Sequence, residues 1–268
     1  MTPGLAIEAR DIAKVYVSEG KAVHAIESAS FAVPKGAFVS LIGPSGCGKS
    51  TLLKMIGGLD RPSSGALYFD GAPVSGINTR VGYVPQHDNL LPWRTAAANI
   101  ALGLEFRGEP RDRREARVRE LLAMVGLSRF GHSFPSQLSG GMRKRVSLMR
   151  AFACNPECLL MDEPFGALDA QTRQLMHREL LRIWEGNNQT IVFVTHDIEE
   201  AILLSDLIVV LSKPPATVKM VRPVPLQRPR DFERDRFSPA FRDLYSGLLA
   251  SIDQDRPAER EAPAGAAP

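Results

Sequence analysis

The nine residues Gly43-Pro44-Ser45-Gly46-Cys47-Gly48-Lys49-Ser50-Thr51 have the types and order needed to hold a polyphosphate. They fit the pattern G-x-x-x-x-G-K-[ST]. Glycines let the main chain curl with its N–H groups pointing inward, Lys49 can reach the β and γ phosphates, and the Ser50 hydroxyl can ligate Mg²⁺. A glycine-rich turn that happens to hold a lysine would share the composition. The apolar run Phe38-Val39-Ser40-Leu41-Ile42 before the loop and the helix-forming Thr51-Leu52-Leu53-Lys54-Met55-Ile56 after it argue instead for strand, loop and helix. That context predicts a nucleoside triphosphate site.

Such a loop alone leaves kinases, GTPases, helicases and transport ATPases open. A second apolar run, Leu159-Leu160-Met161, ends in Asp162-Glu163. This order would put Asp162 beside a Mg²⁺ shell and Glu163 one residue nearer the γ phosphate, where a carboxylate can polarise a water for in-line attack. An acidic turn after a strand is the plainer account of an isolated pair. Ser139-Gly140-Gly141-Met142 opens a helical stretch carrying Arg143, Lys144, Arg145 and Arg150. A helix N-terminus attracts anions, although the same residues could be an ordinary serine cap with flexible glycines.

The elements that must position these groups follow from periodicity. Residues 5–17 and 23–34 alternate apolar and polar around the turn Ser18-Glu19-Gly20-Lys21, which predicts an antiparallel pair ahead of the loop. Further strands are expected at 66–69, 81–84, 158–161, 190–194 and 207–211. Helices are expected at 112–125, 140–153, 171–185 and 198–204. The alternation implies an α/β fold with a mainly parallel sheet and helices on both sides. Helical signals dominate residues 87–156, predicting a helical subdomain inserted into residues 1–212. The charges of 111–120 read as a solvated face. Beyond Leu211, prolines at 214, 215, 223, 225 and 229 predict an extension, 213–255, outside the core. Its basic Lys219, Arg222, Arg228 and Arg230 read as a solvated linker, with contact to anionic lipid as the alternative. Phe241, Leu244, Tyr245, Leu248, Leu249 and Ile252 recur at helical spacing, so an amphipathic helix is expected there. Residues 256–268 are expected to be disordered.

The chain has 268 residues, 44% of them apolar, enough for one substantial core. With 33 Lys plus Arg against 30 Asp plus Glu, the net charge of +3 does not mark a nucleic-acid binder. No run approaches the about 18 apolar residues of a spanning helix, and no secretory leader pattern opens the chain. Three cysteines without a paired framework fit a reducing compartment. Cys154 and Cys158 read as buried small residues. Cys47, beside Lys49 at a helix start, is the one with a chemical environment that favours a thiolate.

Taken together, the phosphate loop, Asp162-Glu163, Leu138-Ser139-Gly140-Gly141-Met142 and His196 after Ile191-Val192-Phe193-Val194-Thr195 resemble the ATPase subunit of ATP-binding cassette (ABC) transporters over about residues 5–212. The resemblance implies a P-loop fold with an antiparallel β subdomain and a helical subdomain, and ATP and Mg²⁺ as ligands. By the same resemblance, Tyr16 stacks on adenine, with a core tyrosine as the alternative. Lys49 and residues 43–51 hold the phosphates, while Ser50, Gln86 and Asp162 serve the metal. Glu163 activates water, His196 contacts the γ phosphate, and Gln86 links the core to the helical subdomain. Asp169 contacts the opposing subunit, and Ser139, Gly140 and Gly141 close on ATP held by the other subunit. Met142 departs from the usual glutamine, leaving the main-chain anion site intact.

The segments Asn89-Leu90-Leu91-Pro92-Trp93-Arg94-Thr95 and 161–173, with the tail residues Arg228-Pro229-Arg230-Asp231 and Ser238-Pro239, look like the nitrate, sulfonate and taurine branch of bacterial importers. That branch implies a homodimer on two permease subunits, an external solute-binding protein, a place on the cytoplasmic face of the inner membrane, and no nucleic acid. An exporter or lipid-system ATPase, and a soluble nucleic-acid clamp, are the alternatives. The solute itself is not encoded here, because it would touch only the permease and binding protein.

Overall fold

A computed structural model describes residues 4–18, 20–187 and 189–253. Glu19 of the expected turn and the expected tail 256–268 lie outside the described residues. The alternating segments at the start form β1 (Leu5–Ser18) and β2 (Lys21–Pro34), paired antiparallel as expected. β1 also pairs antiparallel with β4 (Ser64–Phe69), which is followed by the short β5 (Ala72–Pro73).

The chemistry-bearing residues follow strands of a second, parallel layer. β3 (Phe38–Ile42) leads into α1 (Lys49–Ile56). β6 (Val81–Val84), β7 (Cys158–Asp162), β8 (Thr190–Val194) and β9 (Leu207–Leu211) complete the layer, in the spatial order β9-β3-β8-β7-β6 and all parallel. β3, β7 and β8 are buried throughout, as parallel strands covered on both faces must be. The two-residue period sorts their side chains between two cores. Phe38, Ile42, Leu159, Met161, Ile191 and Phe193 join the helical side, while Val39, Leu41, Cys158, Leu160, Val192 and Val194 face α1 and the antiparallel strands.

Between β6 and β7 the chain forms α2 (Ala96–Phe106), α3 (Arg111–Met124) and α4 (Gly140–Phe152), with no strand there among the described residues. Periodicity missed α2 because Ala96-Ala97-Ala98 and Ile100-Ala101-Leu102 leave little contrast between its faces. Thr95 caps it by accepting from the Ala98 amide. Then come α5 (Ala170–Asn187), between β7 and β8, and α6 (Ile198–Leu204), between β8 and β9.

The expected end of the core at Leu211 needs correction. β10 (Ala216–Pro223) fits between β9, to which it runs antiparallel, and β2, to which it runs parallel, joining both layers into one ten-stranded sheet. Its flanking prolines, Pro214 and Pro215 before it and Pro223 as its last residue, stand at the ends, where a missing N–H spares the ladder. α7 (Phe232–Asp235) and α8 (Pro239–Asp253) follow. Phe241 and Leu248 enter the core, Leu244 and Ile252 pack against it, and Tyr245 and Leu249 remain partly exposed. The basic stretch is no solvated linker either. Arg228 pairs with Asp206 at 2.9 Å and lies 4.4 Å over the Trp184 ring, buried Arg230 donates to the Ser205 carbonyl at 2.7 Å, and Lys219 donates to the Ser251 carbonyl.

Candidate active site

The carboxyl ends of β3, β7, β8 and β6 lie side by side. That edge is where ligands bind in open α/β sheets. Immediately after these strands come Gly43, Glu163, Thr195 and Pro85, so adjacent strands deliver the phosphate loop, the acid pair, His196 and Gln86 to one edge.

The loop after β3 is shaped by close approach. A Cβ on Gly43 would stand 2.8 Å from the Leu211 carbonyl oxygen, and Gly48 adopts φ 100° at the start of α1, where a Cβ would meet the Ala25 carbonyl at 3.2 Å. Lys49 is buried, and its ammonium donates to the Gly43 and Pro44 carbonyls at 2.9 and 3.0 Å, so it lies along the inside of the loop. Cys47 is fully buried, its Sγ 4.0 Å from Lys49 Nζ.

Ser50 donates to Asp162 Oδ1 at 2.8 Å, bringing hydroxyl and carboxylate together across 112 positions of sequence. Tyr83, which sequence reasoning passed over, donates to Asp162 Oδ2 at 3.2 Å. Burial, reinforced by the Asp162 carboxylate, pushes the Tyr83 phenol well above its ordinary range and keeps it a donor. Glu163 has φ 43°, unusual for a residue with a side chain, and its amide donates to the Val194 carbonyl at 3.0 Å. Its Oε2 lies 3.1 Å from His196 Nδ1, while the imidazole, 61% exposed, stays open to a ligand.

Tyr16 is 40% exposed, so it is not a core tyrosine. Its hydroxyl donates to Asp60 Oδ2 at 2.8 Å and lies 3.5 Å from Thr51 Oγ1, placing the ring beside the phosphate-loop helix. Burial raises the Asp60 carboxyl, but bonds from Lys14, Tyr16 and the Arg61 amide outweigh it and hold the group below the usual carboxylate range. Asp60 therefore remains a charged anchor for Tyr16.

Gln86 has an exposed side chain, but its main chain is gripped from behind by α4. Lys144 donates to the Pro85 and Gln86 carbonyls at 3.1 and 2.9 Å, and Arg150 to the Asp88 and Asn89 carbonyls at 2.9 and 2.7 Å. Arg143 donates to the Asp88 carboxylate at 3.0 Å. Desolvation, with Arg150 nearby, brings the Lys144 ammonium down to about 8, against the pull of Asp88 and Asp162. The other end of α4 carries Ser139, Gly140 and Gly141. Ser139 caps the helix by accepting from the Met142 amide at 3.3 Å, and Met142 packs its side chain on the core. A Cβ on Gly141 would stand 2.9 Å from Thr172 Cγ2, and the Thr172 amide donates to Asp169 Oδ1 at 3.0 Å. That amide bond lowers the Asp169 carboxyl. Cys158 is buried as expected, Cys154 only half-buried, and burial raises both above the ordinary thiol range.

A parallel sheet that presents a phosphate loop, a hydroxyl–carboxylate pair and a Glu–His contact at one edge defines a P-loop ATPase. The family model described as ABC transporter matches residues 26–166. The chain is 43% identical over 225 residues, 84% of each chain, to an uncharacterised ABC transporter ATP-binding protein of Methanocaldococcus jannaschii. It is 48% identical over 199 residues, 74% of this chain and 76% of the relative, to a taurine import ATP-binding protein of Rhizobium johnstonii. It is 41% identical over 257 residues to a nitrate import ATP-binding protein of Synechocystis, covering 94% of this chain and 97% of the relative. Among solved structures, a dimeric ATP-binding cassette in a post-hydrolysis state with ADP and Pi matches at TM-score 0.74 and 33% identity, covering 82% of this chain and all of that one. The chain belongs to the ABC transporter family, as its nucleotide-binding ATPase component.

Proposed function

We propose that this chain is the ATP-hydrolysing subunit of a bacterial importer for a small nitrate-, sulfonate- or taurine-like solute. The observation that supports the solute class most directly is the match to the Synechocystis nitrate import protein, which runs through the C-terminal segment as well as the cassette. In this reading Tyr16 stacks on the adenine, and residues 43–51 wrap the phosphates, with Lys49 turned from the loop carbonyls onto the β and γ phosphates. The hard-oxygen pair Ser50 Oγ and Asp162 Oδ1 suits Mg²⁺, with Gln86 as a further ligand. Bound there, Mg²⁺ would neutralise charge on the phosphate oxygens. Glu163 orients and takes a proton from the attacking water. His196, held by Glu163, binds the γ phosphate.

Residues 139–141 act on ATP held by a second copy, in a head-to-tail homodimer with Asp169 at the joint, a reading that the dimeric state of the matched cassette structure supports. Exposed Gln86 and Trp93, the latter 72% exposed, border the face that receives a short helix of a permease at the cytoplasmic side of the inner membrane. No described helix is long and apolar enough to cross a membrane itself. An external solute-binding protein would deliver the cargo. The test is affinity purification from gently solubilised native membranes with mass spectrometry. A stoichiometric multispanning partner is expected; recovery of soluble proteins or nucleic acid alone would remove the importer reading.

A further inference from the structure

Behind His196 lies a buried polar pair that the hydrolytic scheme does not use. His177 on α5 and Glu200 on α6 are both buried, with Nε2 and Oε1 2.6 Å apart. The other Glu200 oxygen accepts from the Thr195 hydroxyl, and Thr195 Oγ1 in turn accepts from the Asp197 amide at 3.0 Å. Glu200 therefore holds Thr195 directly and Asp197 through the Thr195 hydroxyl, one residue on either side of His196. Asp197 also caps α6, its Oδ1 accepting from the Glu199 and Glu200 amides at 2.9 and 3.2 Å. Removing one member of such a pair leaves a buried polar group without its partner, which costs more than losing both.

The His177 ring sits between two others. Phe165, two residues after Glu163, meets it edge-on with centroids 5.4 Å apart, and Phe232 of α7 stacks on it at 6.1 Å with 17° between the planes. Phe232 is buried and pinned on both flanks, by Glu233 to Arg178 of α5 at 3.2 Å and by Arg236 to Glu199 of α6. The C-terminal segment thus meets the segment that follows Glu163 through the His177 ring, and the turn that carries His196 through His177 and then Glu200.

We propose that His177 and Glu200 form a positioning relay through which the C-terminal segment at Phe232 sets the placement of His196 against Glu163, and so tunes ATP turnover without changing nucleotide affinity. This rests on the reading of Glu163 and His196 given above. The experiment uses the full purified chain and compares Phe232→Leu, Phe232→Tyr, His177→Phe and the Phe232→Leu/His177→Phe double variant. It measures kcat and KM for Mg·ATP, equilibrium ATP binding, and the ring resonances of labelled histidines, with that of His196 identified by its loss in His196→Ala.

Phe232→Leu is expected to lower kcat about fivefold and His177→Phe about tenfold, with KM and ATP affinity within about twofold of the parent. The double variant should be no slower than His177→Phe alone. Phe232→Tyr restores the stack and should restore turnover. The His196 resonance should move in Phe232→Leu while those of exposed His24 and His132 stay in place. An unmoved His196 resonance, unchanged kcat, or losses that simply add and follow the fall in Tm would overturn the relay. Wild-type turnover in Glu163→Gln and His196→Ala would overturn the hydrolytic assignments instead, and the resonance shift, which needs no turnover, separates that failure from failure of the contact.

Discussion

Glu163 is the group that acts on the attacking water in the proposed scheme. Its left-handed main-chain conformation, its amide on Val194 and its side chain on His196 fix it at the end of β7. Non-glycine residues keep such conformations at a cost of about 1–3 kcal/mol, so the surrounding strands must over-determine it. Glu163→Gln preserves shape and hydrogen bonding but cannot take a proton. We expect kcat to fall about 100-fold or more while ATP still binds, and the variant to accumulate as an ATP-bound dimer in size-exclusion chromatography. A variant that hydrolyses at the parent rate would exclude Glu163 as the base. The thiols make a second test at this scale. Burial raises Cys154 and Cys158, and a raised thiol has less thiolate at any given pH, so labelling of Cys154 should accelerate only above the ordinary thiol range. Cys158, fully buried like Cys47, should label only on unfolding, as mass spectrometry with a maleimide would show. Rapid labelling of Cys158 in the folded chain at neutral pH would contradict this packing.

Among the elements, α4 is the one that serves two sites. Its N-terminus presents Ser139, Gly140 and Gly141, and its middle grips the main chain of residues 85–89 through Lys144 and Arg150. In the proposed scheme one helix holding both would let Gln86 follow a movement of the serine-glycine segment. Lys144→Met leaves the Pro85 and Gln86 carbonyls without their donor, so global stability should fall by about 1–3 kcal/mol, less the desolvation cost of the ammonium that the substitution relieves. Locally the effect should show in exchange. Amide exchange across residues 86–89 is expected to quicken about tenfold, with ATP affinity retained. Unchanged exchange in that segment would mean the grip is incidental.

For the molecule as a whole, the C-terminal segment is part of the sheet and the core. β10 covers the edges of β2 and β9, and Val224, Phe232, Phe241 and Leu248 join the helical core. Deleting residues 213–268 would strip two strand edges and an apolar face at once. The truncated chain should aggregate, read by soluble yield and light scattering, and so cannot report on regulation; a monodisperse truncation with the parent Tm would refute this. Point substitutions at Phe232 are the way to ask what the segment does.

What the amino-acid order determined by itself was the chemistry carried by contiguous residues. The phosphate loop, Asp162-Glu163 and Ser139-Gly140-Gly141 were legible because each depends on a local main-chain geometry that a few adjacent residue types encode. The antiparallel pair, the buried parallel strands and the helical stretch between β6 and β7 were legible from periodicity, except α2, whose faces lack contrast. Only the tertiary structure decided which distant side chains meet. Tyr83 on Asp162, Asp60 on Tyr16, His177 on Glu200 and Lys144 on the Pro85 and Gln86 carbonyls join residues separated along the chain, and no local pattern marks such partners. The same holds for β10. A brief alternation between prolines reads as a linker, and it becomes a strand because β2 and β9 offer it two unpaired edges and a core to cover.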